Sequence, residues 1–516
     1  MARNEIQITV TEDKNENLEP SEEPDGGPLT SDKPSDDIKI TNDESTNLKS
    51  LRDADADPST SDKPLKIQKV LNIVRSCYGQ DCERYFIPTS VAIGPLNHRR
   101  ETKKDSRIER GKEWKRKLAG MFIKKGEEEN FYKNVKREIK NLRNCYNDIE
   151  QLETWNDEKL AWMFLVDGCA LLQFIALDVY DAWEFFSDND PVRIEKADFF
   201  LLENQLPYHL LEILIDSFAE FSGEELGPEF QPKPFFKELI KEFINRSFSS
   251  LSPAQKHQTD IDYFEPPPPH LLELLRRRLT IDYKGEKKHP TKKDDFWKTL
   301  TNDEELSAVG CAGIGIGKKS DSVPNKSKHW PSIRNVRELK DKGIHFKARE
   351  NGGAITDIDF NERNCLAILT LAPIFLHDTS TVPLLLNLIA YELCPDFKET
   401  CKITSQLSFL NSLIDNGEDV KELRDAGVLA HGLGSDEAVA ELFNKMSGIL
   451  VPNLKIDLEL RRNIHDYCNS KKSHLIELIH TYFRSTWSFW VFLSALAGLI
   501  MQGMQTYYSS REKKLP

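Results

Sequence analysis

Nine cysteines in 516 residues are an odd number, and none stands in a C-x-x-C pair. That excludes the framework of a small disulfide-rich secreted domain and suits a reducing compartment. Cys77 and Cys82 lack His or Cys partners at zinc-site spacing. Neither H-E-x-x-H nor G-x-S-x-G occurs, so the helical zinc-protease pair and the serine-hydrolase elbow are both missing. The first residues carry no apolar run of the kind a secretory signal needs. Aromatics are scarce through residues 1–64, which are polar and acidic and contain TSDKP twice, at Thr30–Pro34 and Thr60–Pro64. Such a segment cannot bury enough apolar area to offset its ordering entropy, and a disordered acidic tail is expected there.

What is present is charge, unevenly placed. The chain carries a net charge of −14. Residues 1–64 hold 17 acidic and 7 basic residues, whereas residues 95–143 hold 17 basic and 8 acidic ones. The acidity therefore belongs largely to the tail, and the body has one basic sector. Its basic residues are interleaved with Glu and follow a helical pattern in part. That favours a solvated face or a docking site for the acidic tail over a nucleic-acid surface.

From Leu65 the apolar spacing predicts a mainly helical body, residues 65–484, with a few short strands. Helices are expected over Phe131–Leu152, Leu160–Val179, Phe235–Ile244, His270–Leu279, Asn335–Lys342, Ile403–Ile414 and about Asp457–Phe483, and another opening at Pro383. RYFIPTSVAIGPLNH reads as an extended piece turning at Gly94-Pro95, and IHFK and AITDIDF as short strands. Cys365–Leu376 is continuously apolar and reads as a buried strand or helix. Gly168 inside a helix costs about 1 kcal/mol against Ala, so close packing is expected around it. Gly343 and Gly427 are expected to stop helices, and in the Gly434-Ser435-Asp436-Glu437 block Ser435 is expected to cap one.

The densest apolar stretch of the body is Asp198–Phe218, DFFLLENQLPYHLLEILIDSF. It carries a polar triplet, Glu203-Asn204-Gln205, and then Pro207. Proline cannot donate to a carbonyl one turn back, so either a kinked helix or two meeting helices is predicted, with Asn204 a candidate cap. The triplet is expected to satisfy backbone groups freed near Pro207 rather than to do chemistry.

Residues 281–328 form a polar insertion, expected to be flexible. Ala312–Lys319 falls short of the phosphate loop G-x-x-x-x-G-K-[ST], because Ala312 replaces the first Gly and Lys319 the Ser/Thr. His431 near Ser435 and Asp436 invites a triad, but capping already accounts for the last two. Asp167 beside Cys169 reads as core, and His474 and His480 are six apart and share no helical face. No catalytic residue, metal site or cofactor is predicted, nor any small-molecule substrate or nucleic-acid partner.

Trp487–Tyr508 contains no charge over 22 residues, about the length needed to cross a bilayer as a helix. Trp487 and Trp490 flank one end and Tyr507 and Tyr508 the other, as an interfacial belt would. With Phe492, Leu493, Leu496, Leu499 and Ile500 they are the expected lipid contacts. Gln502 and Gln505 weaken the pattern. A short basic tail, residues 509–516, follows. A single C-terminal anchor, inserted after synthesis with the body in the cytosol, is the expectation. Sequons at Asn245 and Asn325 would matter only for a lumenal body.

The block order IPTSVAIGPLNH, DGCALLQF, FFLLENQLPYHLLE, HLLELLRRRL, LLNLIAYELC and FLNSLIDNGEDVKELRDAGVLAHGLGSDEAVAELFNKM, then a C-terminal apolar helix, resembles the plant-specific family called domain of unknown function 247. The resemblance covers roughly residues 68–508. Departures are mild: Leu206 and Tyr208 replace the common Ile and Phe, and Leu393 a common Gln. It implies a mainly helical plant protein with a single C-terminal membrane helix and no established enzyme activity. The function expected is that of a membrane-anchored interaction or recognition protein with an unidentified protein partner; a membrane-associated enzyme of unrecognised type and a purely structural role are the alternatives. Some grass members are associated with pollen self-incompatibility recognition.

Overall fold

In the computed structural model the chain divides into two units, the second of them residues 64–516. The structure describes residues 65–97, 106–147, 152–183, 194–226, 230–251, 262–281, 333–350, 354–363, 366–450, 454–474, 476–477 and 486–512. The expected acidic tail, nearly all of the 281–328 insertion and the last residues of the basic tail lie outside them.

The second unit is mainly helical. After a short bridge from Ile67 to Tyr146 come α1 (Asn72–Tyr78) and α2 (Cys82–Phe86). Next come α3 (Ser106–Phe122), α4 (Glu128–Arg137), α5 (Ile139–Asn144) and α6 (Asp157–Tyr180). Helix α6 is apolar around most of its circumference, the mark of a helix with neighbours on all sides. Helices α3, α4, α7 (Tyr208–Leu226) and α8 (Pro232–Leu251) supply those neighbours. Asn156 caps α6 by accepting the Lys159 amide at 2.8 Å.

Beyond α9 (Leu271–Thr280) and α10 (Val336–Asp341) lies a three-stranded sheet in the order β1-β3-β2. Its strands are β1 (Ile344–Ala348), β2 (Ile358–Arg363) and β3 (Leu366–Leu371). Central β3 pairs parallel with β1, Ile344 opposite Ala367, and antiparallel with β2, Ile358 opposite Leu371. Strands β4 (Ile374–Leu376) and β5 (Leu429–His431) form a separate parallel pair. The apolar run at 365–376 is thus two strands. The remaining helices are α11 (Thr381–Glu392), α12 (Lys402–Leu413), α13 (Gly417–Asp425), α14 (Asp436–Ser447), α15 (Leu454–Cys468) and α16 (Thr486–Glu512).

Three expectations need correction. The pattern over Phe131–Leu152 is not one helix: Glu138, at φ −95° and ψ 7°, separates α4 from α5. Tyr146 then leaves the helical path to bridge Ile67. Phe131, Val135, Ile139 and Leu142 still face one core, so the periodicity survives a break it cannot register. Asp457–Phe483 is also interrupted, since α15 ends at Cys468 and a turn at Asn469–Ser470 follows. Finally, Asp198–Phe218 is not a kinked helix. A 3₁₀ turn spans Lys196–Phe200, Leu201–Pro207 is irregular, and α7 begins at Tyr208. Pro207 stands immediately before the helix and biases Leu206 away from helical geometry, so the chain enters α7 without a kink.

Gly168 sits where the sequence required closeness: a Cβ there would lie 2.4 Å from Leu214 Cδ1 on α7. Gly94 is more constrained, with φ at 71° and a Cβ position 2.8 Å from the Gln205 carbonyl oxygen. The two differ in what must yield, a leucine tip in one case and fixed backbone in the other. Gly94→Ala is expected to cost roughly 2–4 kcal/mol, from the left-handed φ plus overpacking. Gly168→Ala should lose only about 1 kcal/mol net, because improved helix propensity offsets part of the crowding. Denaturant melts of the two variants would check the ranking, and equal losses would contradict it.

Candidate functional site

The polar triplet does not serve its own helix. Its Asn204, with Asp198, reaches back more than a hundred residues to hold an irregular segment, Thr89–Asn97. The Asn204 side chain accepts the Ile93 amide at 2.8 Å and donates to the carbonyls of Val91 at 3.0 Å and Asp198 at 2.8 Å. Asp198 accepts three consecutive amides, Thr89, Ser90 and Val91, at 3.0, 2.7 and 2.9 Å, and the Ser90 hydroxyl at 2.6 Å. Burial raises the Asp198 carboxyl above its ordinary range, against the lowering effect of these donors. Gln205 donates to Phe199 and Leu201 carbonyls and accepts the Leu272 amide at 3.1 Å, which ties the segment to α9. Glu203 accepts the Val70 amide at 2.9 Å and pairs with Arg75. Pro207 is buried beside them. Asn204 is therefore not a helix cap, and the groups satisfied are mostly remote ones rather than those freed by Pro207.

A second buried cluster adjoins at α9. Arg276 bonds Glu273 at 2.7 Å, Glu399 lies on its other side, and Glu392 is 3.8 Å away. Glu392 accepts the amides of Ile403 and Thr404, anchoring the start of α12. His270 caps α9 with Nδ1, accepting the Glu273 amide at 3.3 Å, and is fully buried. Burial pushes its imidazole from 6.5 down to about 4.

Asp167, on α6, joins the same scaffold. Its Oδ2 accepts the Gly94 amide at 2.9 Å and its Oδ1 pairs with Lys115 of α3 at 2.7 Å. Lys115 also donates to the Ala92 carbonyl at 2.7 Å. Above this pair lies a 470 Å³ cleft along the α3–α6 seam. Arg116 and Lys112, one turn apart on α3, line one wall. Lys159, Trp162, Met163 and Val166, at helical spacing on α6, line the other, with Trp155 at the end. Trp162 is 57% exposed. Sequence reasoning missed this cleft. The only traces were the Lys159–Val166 spacing and a basic sector that also carried Glu.

The Gly434–Glu437 block behaves as read. Ser435 Oγ accepts the Ala438 amide at 3.2 Å and caps α14. His431 Nε2 lies 2.7 Å from Asp436 Oδ1, and Arg424 contacts the same carboxylate. The hydroxyl a triad would need is engaged in the cap. Gly434 helps line a 270 Å³ pocket whose ionic groups are largely paired with one another, Arg84 with Asp378 and Lys445 with Asp81 and Glu441. Glu437, beside the cap, packs close to Gly417. Among the described residues no group of three or more His, Cys, Asp or Glu could hold a metal ion. Cys169 and Cys394 are buried thiols whose ionisation burial pushes up, to about 12 for Cys394. The seven described cysteines are free.

The C-terminal stretch is a 27-residue helix, α16. Trp487, Trp490, Phe492, Leu493, Leu496, Leu499, Ile500, Tyr507 and Tyr508 are all exposed, between 42% and 79%. By length and composition, one described helix is apolar enough to cross a membrane, and that is α6, with 78% of the stretch buried in the body. Helix α16, diluted by Gln502 and Gln505, is not singled out by that measure. The Asn245 sequon is buried and its side chain accepts Arg278 Nε at 2.8 Å, so the folded chain offers no acceptor there. Asn325 lies outside the described residues.

Two outcomes follow from these networks. Asn204→Ala strands Ile93 N–H and the Val91 and Asp198 carbonyls in the core and should cost on the order of 3–5 kcal/mol by chemical denaturation. His270 has a folded pKa below its unfolded value, so it favours the fold fully above about 6.5 and loses that contribution as pH falls toward 4. Glu392, raised by burial, acts in the opposite sense. The difference between wild type and His270→Asn across that window isolates the histidine, and parallel curves would refute the assignment.

The sequence profile described as "plant protein of unknown function", domain of unknown function 247, matches residues 67–501. A UPF0481 protein of Arabidopsis thaliana is 23% identical over 440 residues, covering 82% of each chain. A second UPF0481 protein of Arabidopsis thaliana is 30% identical over 180 residues, 34% of this chain and 33% of the other. No solved structure matches. With the profile covering most of the chain, the protein belongs to the plant family of unknown function designated domain of unknown function 247.

Proposed function

We propose that the protein is a membrane-anchored, non-enzymatic recognition component, held by α16 in a bilayer with its helical body in the cytosol. The observation that carries the anchor is the exposed surface of α16. Its large apolar side chains stay exposed around the helix, and Trp487–Tyr508 contains no charged residue. Each such side chain left in water forgoes roughly 1.5–3 kcal/mol, and a contiguous apolar surface of this size is found where a membrane or partner covers it. The uncharged length matches the hydrocarbon thickness at 1.5 Å per residue. Aromatic residues at both ends suit the interface.

Free thiols support a reducing compartment for the body. The recognition part draws on how the buried polar groups are used. Asp198, Asn204, Gln205 and Asp167 direct most of their hydrogen bonds to backbone, and the others to Ser90, Asn97 and Lys115. Such groups act as scaffolding for the surfaces above them.

Carbonate washing of plant membranes tests the anchor. The full chain should stay in the pellet, and a chain truncated after Thr486 should move to the supernatant. A truncated chain that still pellets would sink the anchor. A glycosidase-sensitive band shift would report a lumenal body and sink the cytosolic orientation.

A further inference from the structure

We infer that the cleft between α3 and α6 is a binding site for an acidic peptide segment of a protein partner, with an aromatic or large apolar side chain as its anchor. The inference rests on reading the body as a recognition surface and is independent of the anchor.

The charge pattern sets the sign of the occupant. Two carboxylates line the cleft, and each is already engaged: Asp167 by Lys115 at 2.7 Å, and Glu158 by Lys136 at 3.2 Å. Among the described residues no ion pair engages the exposed side chains of Arg116 and Lys159, which stand on opposite walls. Lys112 adds a third cation to the rim. The floor is a buried, fully committed pair, with Lys115 and Asp167 side chains 8% and 3% exposed. It holds the seam in place and offers the occupant no loose charge. A negatively charged segment is therefore attracted by Arg116 and Lys159, which no described ion pair engages, without displacing an existing pair.

The apolar lining adds a second requirement. Trp162 is 57% exposed although Tyr132 packs on it with ring centroids 6.4 Å apart, and Met163 and Val166 continue its face. Trp155 closes the end. At 470 Å³ the space accepts one large side chain with its flanking backbone. Aromatic anchors in pockets rimmed by charge are the recurring form of a peptide hot spot. A nucleic acid would supply both anion and ring, but so few cations give it little phosphate neutralisation.

The test uses the full-length protein in nanodiscs of neutral lipid and a fluorescein-labelled heptapeptide, Glu-Asp-Glu-Phe-Glu-Asp-Glu, read by anisotropy. Binding should weaken with added salt. The double variant Arg116→Glu, Lys159→Glu should bind about tenfold or more weakly, since each exposed cation contributes a few tenths to 1 kcal/mol and its reversal adds repulsion. Trp162→Ala should weaken binding severalfold without changing the salt dependence. All three altered positions are on the surface, so the variants should melt with wild type. The inference is overturned if the peptide fails to bind, if its Gln/Asn counterpart binds equally well, or if the double variant binds normally. It is also overturned if oligouridylate or phosphatidylserine vesicles bind more tightly than the peptide through the same residues. A protein partner co-purified from plant membranes that ignores the double variant would leave the recognition reading intact and remove the cleft from it.

Discussion

The body depends on burying a backbone segment that has no regular partner. Ser90–Asn97 runs through the core without helix or strand, and every residue in it is buried. Each unsatisfied amide or carbonyl would cost about 1–3 kcal/mol. Asp198, Asn204 and Asp167 answer that requirement from two other elements, and Lys115 answers the Ala92 carbonyl from a third. Four pieces distant in sequence are thereby fixed in one register. Apolar packing around α6 supplies the larger share of stability, but packing alone tolerates sliding, and directional bonds to successive amides do not.

The same bonds shape the surface. Lys115 and Asp167 join α3 to α6 and to the buried segment at once. Their separation fixes the seam above them, and with it the distance between the Arg116 and Lys159 walls. The cleft is thus the outer face of a core constraint. At α9, His270, Glu273 and Arg276 play a comparable part, joining the segment, through Gln205, to α11 and α12.

Legibility followed the range of the interactions. Ser435 was readable as a cap because a cap is decided within three residues. Gly168 announced a close neighbour, though not that Leu214 was that neighbour. Glu203-Asn204-Gln205 was conspicuous and yet read only in part, because the Glu203 partners and most of the Asn204 partners lie more than a hundred residues away, where local spacing carries no information. The break at Glu138 left no trace because residues on both sides of it face the same core. The cleft was nearly invisible, since its walls come from two helices and its cations were mixed with Glu in sequence.

By itself the sequence determined the helical class, most element positions in the second half, the family, and the uncharged aromatic-flanked helix at the C-terminus. These rest on periodicity, composition and short-range chemistry. Only the tertiary structure decided which backbone groups the polar triplet holds, that the fold buries Asn245, and that Arg116, Lys159 and Trp162 meet around one cleft. Each of these depends on which distant residues touch, and that is set by burial across the whole core rather than by any local pattern.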